Sequence, residues 1–309
     1  MKPLVSIVIR TLNEERYLSE LLTSIRNQIN DQFDFEIVVI DSGSTDQTLN
    51  LAEKFQCRIT HIDKQDFSFG RSLNMGCEFA RGDYLVFVSG HCIPLNMEWL
   101  SKLVEPLIDG SVEFTYGRQL ARDTTKFSES QLFERYFPSE SKVPQEGFFC
   151  NNANSAVSRK AWCNLKFDED LTGCEDMEFS KRLLMRGGSI GYVAEAAVYH
   201  IHDETWGSVK RRYEREAIAL QKIMPEVHVS IFDVISFIFV GMIKDFRAAF
   251  SKGILLNKWV EILRFRIAQY IGAYRGNHQT RQLSKEMKYR YFYPRVTPMD
   301  LVEKRTKND

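Results

Sequence analysis

Three short apolar runs in the first ninety residues each end abruptly in a polar cluster. Val5-Ser6-Ile7-Val8-Ile9-Arg10 opens into Thr11-Leu12-Asn13-Glu14, and Phe35-Glu36-Ile37-Val38-Val39-Ile40 opens into Asp41-Ser42-Gly43-Ser44-Thr45-Asp46. The third run, Tyr84 to Val88, gives way to Ser89-Gly90-His91. Between the runs the apolar spacing turns helical. Leu18, Leu21, Leu22 and Ile25 predict one helix within 11–28, and Leu49, Leu51, Ala52 and Phe55 a second behind cap residues at 44–47. A third spans 69–80 and turns at Arg81-Gly82-Asp83. This strand–helix rhythm predicts a mostly parallel sheet with right-handed crossovers. Such sheets collect ligands at the carboxyl ends of their strands, where all three polar clusters fall.

The middle of the chain is less regular. Residues 112–119 and 154–158 read as strands, 127–136 and 175–186 as helices, 138–147 as a loop, and 190–201 as a further extended segment. From Trp206 onward the pattern is helical, over 208–224, 227–250 and 257–274, with a polar tail from 296. The expected division is a catalytic unit over 1–205, a helical section over 206–295 and a tail over 296–309.

Composition adds a charge asymmetry. The chain of 309 residues is neutral overall, but residues 1–202 carry 21 Lys/Arg against 29 Asp/Glu, and residues 203–309 carry 20 against 12. The basic half points toward an anionic partner. The acidic first half and zero net charge argue against nucleic-acid binding. Six cysteines without a CxxC pair read as reduced thiols. No basic-then-apolar leader opens the sequence, so the expectation is a cytoplasmic protein. Val227 to Ile243, broken by His228 and Asp233, sits at the lower length limit for crossing a bilayer and reads as an interfacial or buried helix. Lys244, Arg247, Lys252, Lys258, Arg264, Arg266 and Arg275 follow, against Asp245 and Glu261 alone. This suits peripheral contact with the inner face of an anionic membrane, or packing against the catalytic unit or a second subunit.

Taken together, these clusters resemble family 2 glycosyltransferases with a GT-A nucleotide-diphospho-sugar domain, especially the rhamnosyltransferase-like enzymes of bacterial surface polysaccharide synthesis. The likeness covers roughly residues 3–215 and more loosely extends to 277. It implies an inverting transfer from a nucleotide-diphospho-sugar to a glycan or lipid-diphosphate-linked acceptor, with a C-terminal helical extension. Thr11, Asn13 and Glu14 match the loop that touches base and ribose. Asp41 is placed to accept the imide N–H of uracil or thymine, implying a UDP- or dTDP-type donor. Phe67 to Gly76 resembles a stretch in which Arg71 supplies a cation and Asn74 a neutral donor. Asn152, in Asn151-Asn152-Ala153-Asn154, falls where the donor sugar would lie, and Arg212 where a basic residue would meet the diphosphate.

At the third cluster this chain departs from its relatives. They carry Asp-x-Asp, two carboxylates that hold Mg²⁺ or Mn²⁺ against the diphosphate; here Ser89-Gly90-His91 stands instead. A loop-closing histidine is ordinarily a plain polar residue. A second cluster at His200 and His202, where relatives place a late histidine, shifts the reading toward a metal held by His91, His200 and His202. The i, i+2 spacing puts the latter two rings on one side of an extended segment. Nitrogen ligands favour Mn²⁺ over Mg²⁺. Thr172 to Leu183 matches the acidic acceptor-site motif, with Asp176 as base and Glu175 as its orienting partner. The helix dipole favours the ionised form of both. The competing reading is a degenerate relative that binds nucleotide or glycan without turnover, motivated by Ser89. A nucleotidyltransferase would want a Gly-rich basic loop where Thr11-Leu12-Asn13-Glu14 stands.

Overall fold

The computed structural model describes residues 2–279; the tail expected from 296 lies outside them. Its centre is one eight-stranded sheet in the order β3-β2-β1-β4-β7-β6-β8-β5. Strands β1 (Leu4–Thr11), β2 (Asp34–Asp41), β3 (Arg58–His61) and β4 (Tyr84–Ser89) form the parallel half. In the other half β7 (Asn154–Ser158) runs antiparallel to β4 and to β6 (Phe114–Leu120). Strand β8 (Ile190–His200) lies parallel to β6, and the short β5 (Cys92–Pro94) antiparallel to β8.

The unbroken apolar runs are explained by burial on both faces. Val5, Ile7 and Ile9 of β1 pack with Leu18, Leu21, Leu22 and Ile25 of α1 (Glu15–Arg26) on one side. Val8 of the same strand points the other way, to Leu73 and Cys77 of α3 (Phe69–Phe79). Gly76 of α3 lies against β1, where a Cβ would stand 2.5 Å from Val8 Cγ1. The register pairs Thr11 with Asp41 and Arg10 with Ser89. All three polar clusters therefore meet at one edge.

Helix α1 begins at Glu15, later than the 11–28 span predicted, because its N-terminus is tied to a neighbouring loop. Thr11 completes β1, and Asn13 takes the left-handed region at φ 57°. Asp46 Oδ2 then accepts the Glu15 N–H, and Thr48 Oγ1 accepts that of Glu14. Asp46 also accepts the N–H of Thr48, the first residue of α2 (Thr48–Lys54), so one carboxylate serves two helix starts. Strands β3 and β5 and helices α4 (Trp99–Ile108) and α6 (Arg159–Leu165) fall in stretches the pattern left unassigned. The two strands are short, and α4 carries Pro106, which obscures an otherwise helical row of Trp99, Leu100, Leu103, Val104 and Leu107.

Helices α5 (Phe127–Tyr136) and α7 (Glu175–Met185) flank the sheet. Three long helices close the described chain: α8 (Trp206–Ile223), α9 (Ile231–Ser251) and α10 (Leu255–Asn277). Helices α8 and α10 touch backbone to backbone at two glycines. A Cβ on Gly272 would lie 2.3 Å from the Lys210 carbonyl oxygen, and one on Gly276 2.1 Å from that of Glu214. Between α9 and α10 the interior pair Arg266–Asp245 makes two hydrogen bonds of 2.8 and 2.7 Å. No helix among the described residues is long and apolar enough to cross a membrane.

Candidate active site

A cavity of about 960 Å³ opens at the sheet edge. Of the residues singled out from sequence, Asn13, Glu14, Ser89, His91, Asn152, Glu175, Asp176, His200, His202 and Arg212 line it. Its far wall comes from α8 and α10, through Tyr213, Leu220, Gln269 and Ala273. Residues on both sides of the division expected near 205 thus line the cavity.

Three histidines converge there. His91, His200 and His202 each offer a ligand atom, and these lie within 4.8 Å of one another. The His91 and His200 rings stack at 5.3 Å, and Phe133 stacks on His200 at 5.7 Å. Each ring is oriented by an acceptor at Nδ1: Glu14 Oε1 at 2.9 Å for His91, Gln119 Oε1 at 2.6 Å for His200, and Glu129 Oε1 at 2.7 Å for His202. Protonated Nδ1 atoms leave the Nε2 lone pairs free, the arrangement by which second partners fix metal-binding imidazoles. Burial and the neighbouring positive groups hold His200 well below the usual histidine range. Burial lowers His202 too, despite its hydrogen bond to Glu129. Neutral rings are what coordination needs. Glu129 Oε2 is buried without a partner among the described residues, and Glu129, His202 and Glu204 form a second group of closely spaced ligand atoms. The donor set of three imidazoles, with Glu129 and Glu204 beside them, therefore fits a divalent cation. A Cβ at position 90 would lie 2.8 Å from Glu14 Cγ, so a side chain there would have to displace Glu14.

Glu175 and Asp176 begin α7 behind Cys174, which takes the left-handed region at φ 55°. Both side chains are buried. Glu175 Oε1 meets Arg10 Nη1 at 3.3 Å. Asp176 accepts the backbone N–H of Asn152 at 2.7 Å and of Met177 at 2.8 Å. The dipole argument is corrected here: burial first, and then the Glu175 charge, push Asp176 up to about 7, outweighing those N–H groups and Arg10. Asn152 Nδ2 is a buried donor with no partner among the described residues.

Four residues singled out from sequence are engaged by partners within the chain. The Asp41 carboxylate takes the N–H groups of Gly43 and Ser44 and the hydroxyls of Thr11 and Ser44. It staples the turn after β2, and Thr11 is buried as its partner. Arg71 lies outside the cavity lining, half-exposed and paired with Glu169 at 2.9 Å. Asn74 is buried and spent on the chain itself, accepting from the Trp162 indole and Phe167 N–H and donating to Phe167 O and Glu169. Arg212 lines the cavity, but its Nη2 is held by Glu129 at 2.6 Å and Glu204 at 2.7 Å. Two cations went unnoticed in the sequence. Arg10 and Arg215 lie over the Phe69 ring at 5.0 and 4.7 Å, and both line the cavity. For Arg10 the signal was present, a charge closing an apolar strand; nothing local marks Arg215.

The glycosyl transferase family 2 model matches residues 6–163, and the chain belongs to that family. It is a glycosyltransferase with a GT-A fold. Among curated relatives, it is 26% identical to the O-antigen chain rhamnosyltransferase RfbN of Salmonella typhimurium, across 68% of this chain and 70% of that one. It is 27% identical to glycosyltransferase AglE of Haloferax volcanii, across 61% and 72%. Among solved structures, the mannosyltransferase PcManGT of Pyrobaculum calidifontis, in complex with GDP-Man and Mn²⁺, aligns over 92% of this chain and 88% of its own at TM-score 0.61 and 16% identity. Staphylococcus aureus TarS 1–349 in complex with UDP aligns over 92% of each chain at TM-score 0.53 and 17% identity.

Proposed function

We propose that the chain is an inverting glycosyltransferase that moves a sugar from a nucleotide-diphospho-sugar to a glycan or lipid-diphosphate-linked acceptor in bacterial surface polysaccharide synthesis. The observation that carries this is the shared cavity of Asp176 and the three histidines. Asp176 takes the proton of the acceptor hydroxyl as that oxygen attacks the anomeric carbon, and the nucleoside diphosphate departs from the opposite face. A carboxylate near 7 is matched to this task, because a general base works best close to the operating pH. The Asn152 N–H fixes the direction of the Asp176 carboxylate, and the free Asn152 Nδ2 donates to a sugar hydroxyl.

A divalent cation held by His91, His200 and His202 would supply positive charge to the leaving diphosphate. This reading is favoured over a metal-free site because three imidazoles converge in the cavity, whereas Arg71 is paired with Glu169 and Arg212 with Glu129 and Glu204; Arg10 and Arg215, which also line the cavity, are the cations a metal-free site would use. Imidazole ligands make Mn²⁺ the better occupant than Mg²⁺. The rhamnosyltransferase relatives support the polysaccharide setting; the UDP complex of TarS supports a uridine-type donor and the GDP-Man complex of PcManGT a guanosine-type one, and the donor screen covers both.

The test is a screen of nucleotide-sugars for thermal stabilisation with and without Mn²⁺, followed by assay of nucleoside diphosphate release. A donor at a hundredfold over its Kd adds about 2.7 kcal/mol. Ser89 favours one rival, a binder without turnover. Stabilisation by a nucleotide-sugar with no release of nucleoside diphosphate on any acceptor offered would establish that rival.

A further inference from the structure

Outside the cavity, the outer faces of α9 and α10 stand out. Along α9, Phe232, Ser236, Phe239, Ile243, Arg247 and Phe250 follow one another at helical i+3 and i+4 spacing, and all are exposed. Phe232, Phe239 and Phe250 show 79, 60 and 76% of their surface. Along α10 the same spacing links Leu256, Val260, Arg264, Ile267, Ile271 and Arg275, again all exposed. Trp259 adds another exposed ring.

The charges on these helices are one-sided. Lys244, Arg247, Lys252, Arg264 and Arg275 are exposed. Each of the three carboxylates has a partner. Asp233 accepts the Ser230 N–H in the capping box, Asp245 is buried against Arg266, and Glu261 accepts the Phe127 N–H and meets Lys258. Helices with an apolar stripe, cations beside it and no exposed acid have the composition of an interfacial membrane anchor.

We propose that this face docks on an anionic lipid bilayer, α9 lying in the headgroup layer with its phenylalanines in the acyl boundary. A second copy fits the face less well, because it would bring Lys244, Arg247, Arg264 and Arg275 against their own counterparts; of the five cations only Lys252 has a neighbouring acid among the described residues, Glu134 at 3.4 Å. The placement also has a direction: α10 shows its apolar stripe outward while its Gln269 and Ala273 line the cavity. One helix thus joins the lipid surface to the wall of the reaction chamber. The surface stands on its own observations and does not depend on the reaction assigned to the cavity.

The test is flotation of the full chain with phosphatidylcholine vesicles, with and without about 30 mol % phosphatidylglycerol, at low and high salt. Expected is recovery with the anionic vesicles about tenfold above the neutral ones, falling with salt as the exposed cations are screened. The double variant Phe232→Ser, Phe239→Ser should lose binding to both compositions. Lys244→Gln and Arg247→Gln should each weaken anionic binding about fivefold. All four positions are exposed, so unfolding midpoints should match wild type; if the serine variant unfolds early, the glutamine variants decide the matter. Equal recovery with neutral and anionic vesicles at low salt overturns the proposal. So does a dimer in light scattering that Phe239→Ser dissolves while no vesicle binding is seen, since a second copy would then own the face.

Discussion

Asp176 titrates where the reaction is expected to run, so its protonation should be visible in the rate. With the group at about 7, roughly nine-tenths is ionised at pH 8 and about one-tenth at pH 6. Turnover on the donor identified by thermal stabilisation should therefore fall about tenfold between those values. Asp176→Asn should remove the dependence and lower turnover by about two to four orders of magnitude, equivalent to roughly 3–5 kcal/mol of transition-state stabilisation. The neighbours give the argument a sign. The Glu175 anion opposes ionisation of Asp176, so Glu175→Gln should move the limb of the profile to lower pH. Arg10 favours ionisation, so Arg10→Gln should move it higher. Nucleoside diphosphate release, measured across pH 5.5 to about 9 under subsaturating acceptor, reads all four proteins. Asp176→Asn with a wild-type rate would falsify the assignment of the base. Limbs that move the same way in Glu175→Gln and Arg10→Gln would refute the electrostatic account of its ionisation.

Activity should be lost in excess EDTA and return further with Mn²⁺ than with Mg²⁺; His91→Ala should abolish the metal response while Ser89→Ala changes it little, and full activity in EDTA with a tolerated His91→Ala would establish a metal-free site. In metal-free buffer, stability should fall as pH drops below about 6.5. His200 and His202 stay neutral in the native protein while unfolded histidine takes up a proton, a loss of up to about 1.4 kcal/mol per pH unit for each, and a His200→Gln variant should show a shallower decline in chemical denaturation. Gly276→Ala should lower stability by about 1–3 kcal/mol, because the new methyl meets the Glu214 carbonyl; an unchanged thermal midpoint would mean that α8 and α10 part without cost.

The parallel half of the sheet was legible because β1, β2 and β4 are buried on both faces and so read as unbroken apolar runs. The mixed half was harder. Strand β5 has three residues, and β6, β7 and β8 carry polar side chains inward, such as Gln119 and Asn154. Local motifs brought Asp176 and the histidines to notice, since a strand end, an i, i+2 pair and a helix start are visible in one dimension. What sequence could not separate was a carboxylate facing a ligand from one consumed by its own turn. Asp41 and Asn74 sit in stretches that resemble ligand-binding motifs, yet each is saturated by partners that only the folded chain supplies. The holders of the histidine rings, Gln119 and Glu129, were missed for the converse reason: each lies more than seventy residues from the ring it orients.

Strand order and chain order disagree most sharply between β4 and β5. β4 and β5 are separated in the sheet by β7, β6 and β8, yet in the sequence only Gly90 and His91 lie between them. In a flat sheet the two strands would stand about 19 Å apart. The three Cα steps from Ser89 to Cys92 reach roughly 11 Å. The sheet must therefore curl into a trough, and this two-residue strap is what spans its mouth. A strap already drawn across a gap is intolerant of changes in length. A deletion would pull the trough shut or break the β5–β8 pairing, and an inserted residue would slacken the hold on the His91 ring. Within the strap side chains can be exchanged at fixed length, but a side chain at Gly90 would have to displace Glu14 and with it the hold on His91. Within the strap, positions 89 and 91 are the ones through which side-chain chemistry can change at unchanged length, and an acid at 89 would add a carboxylate to the cavity wall.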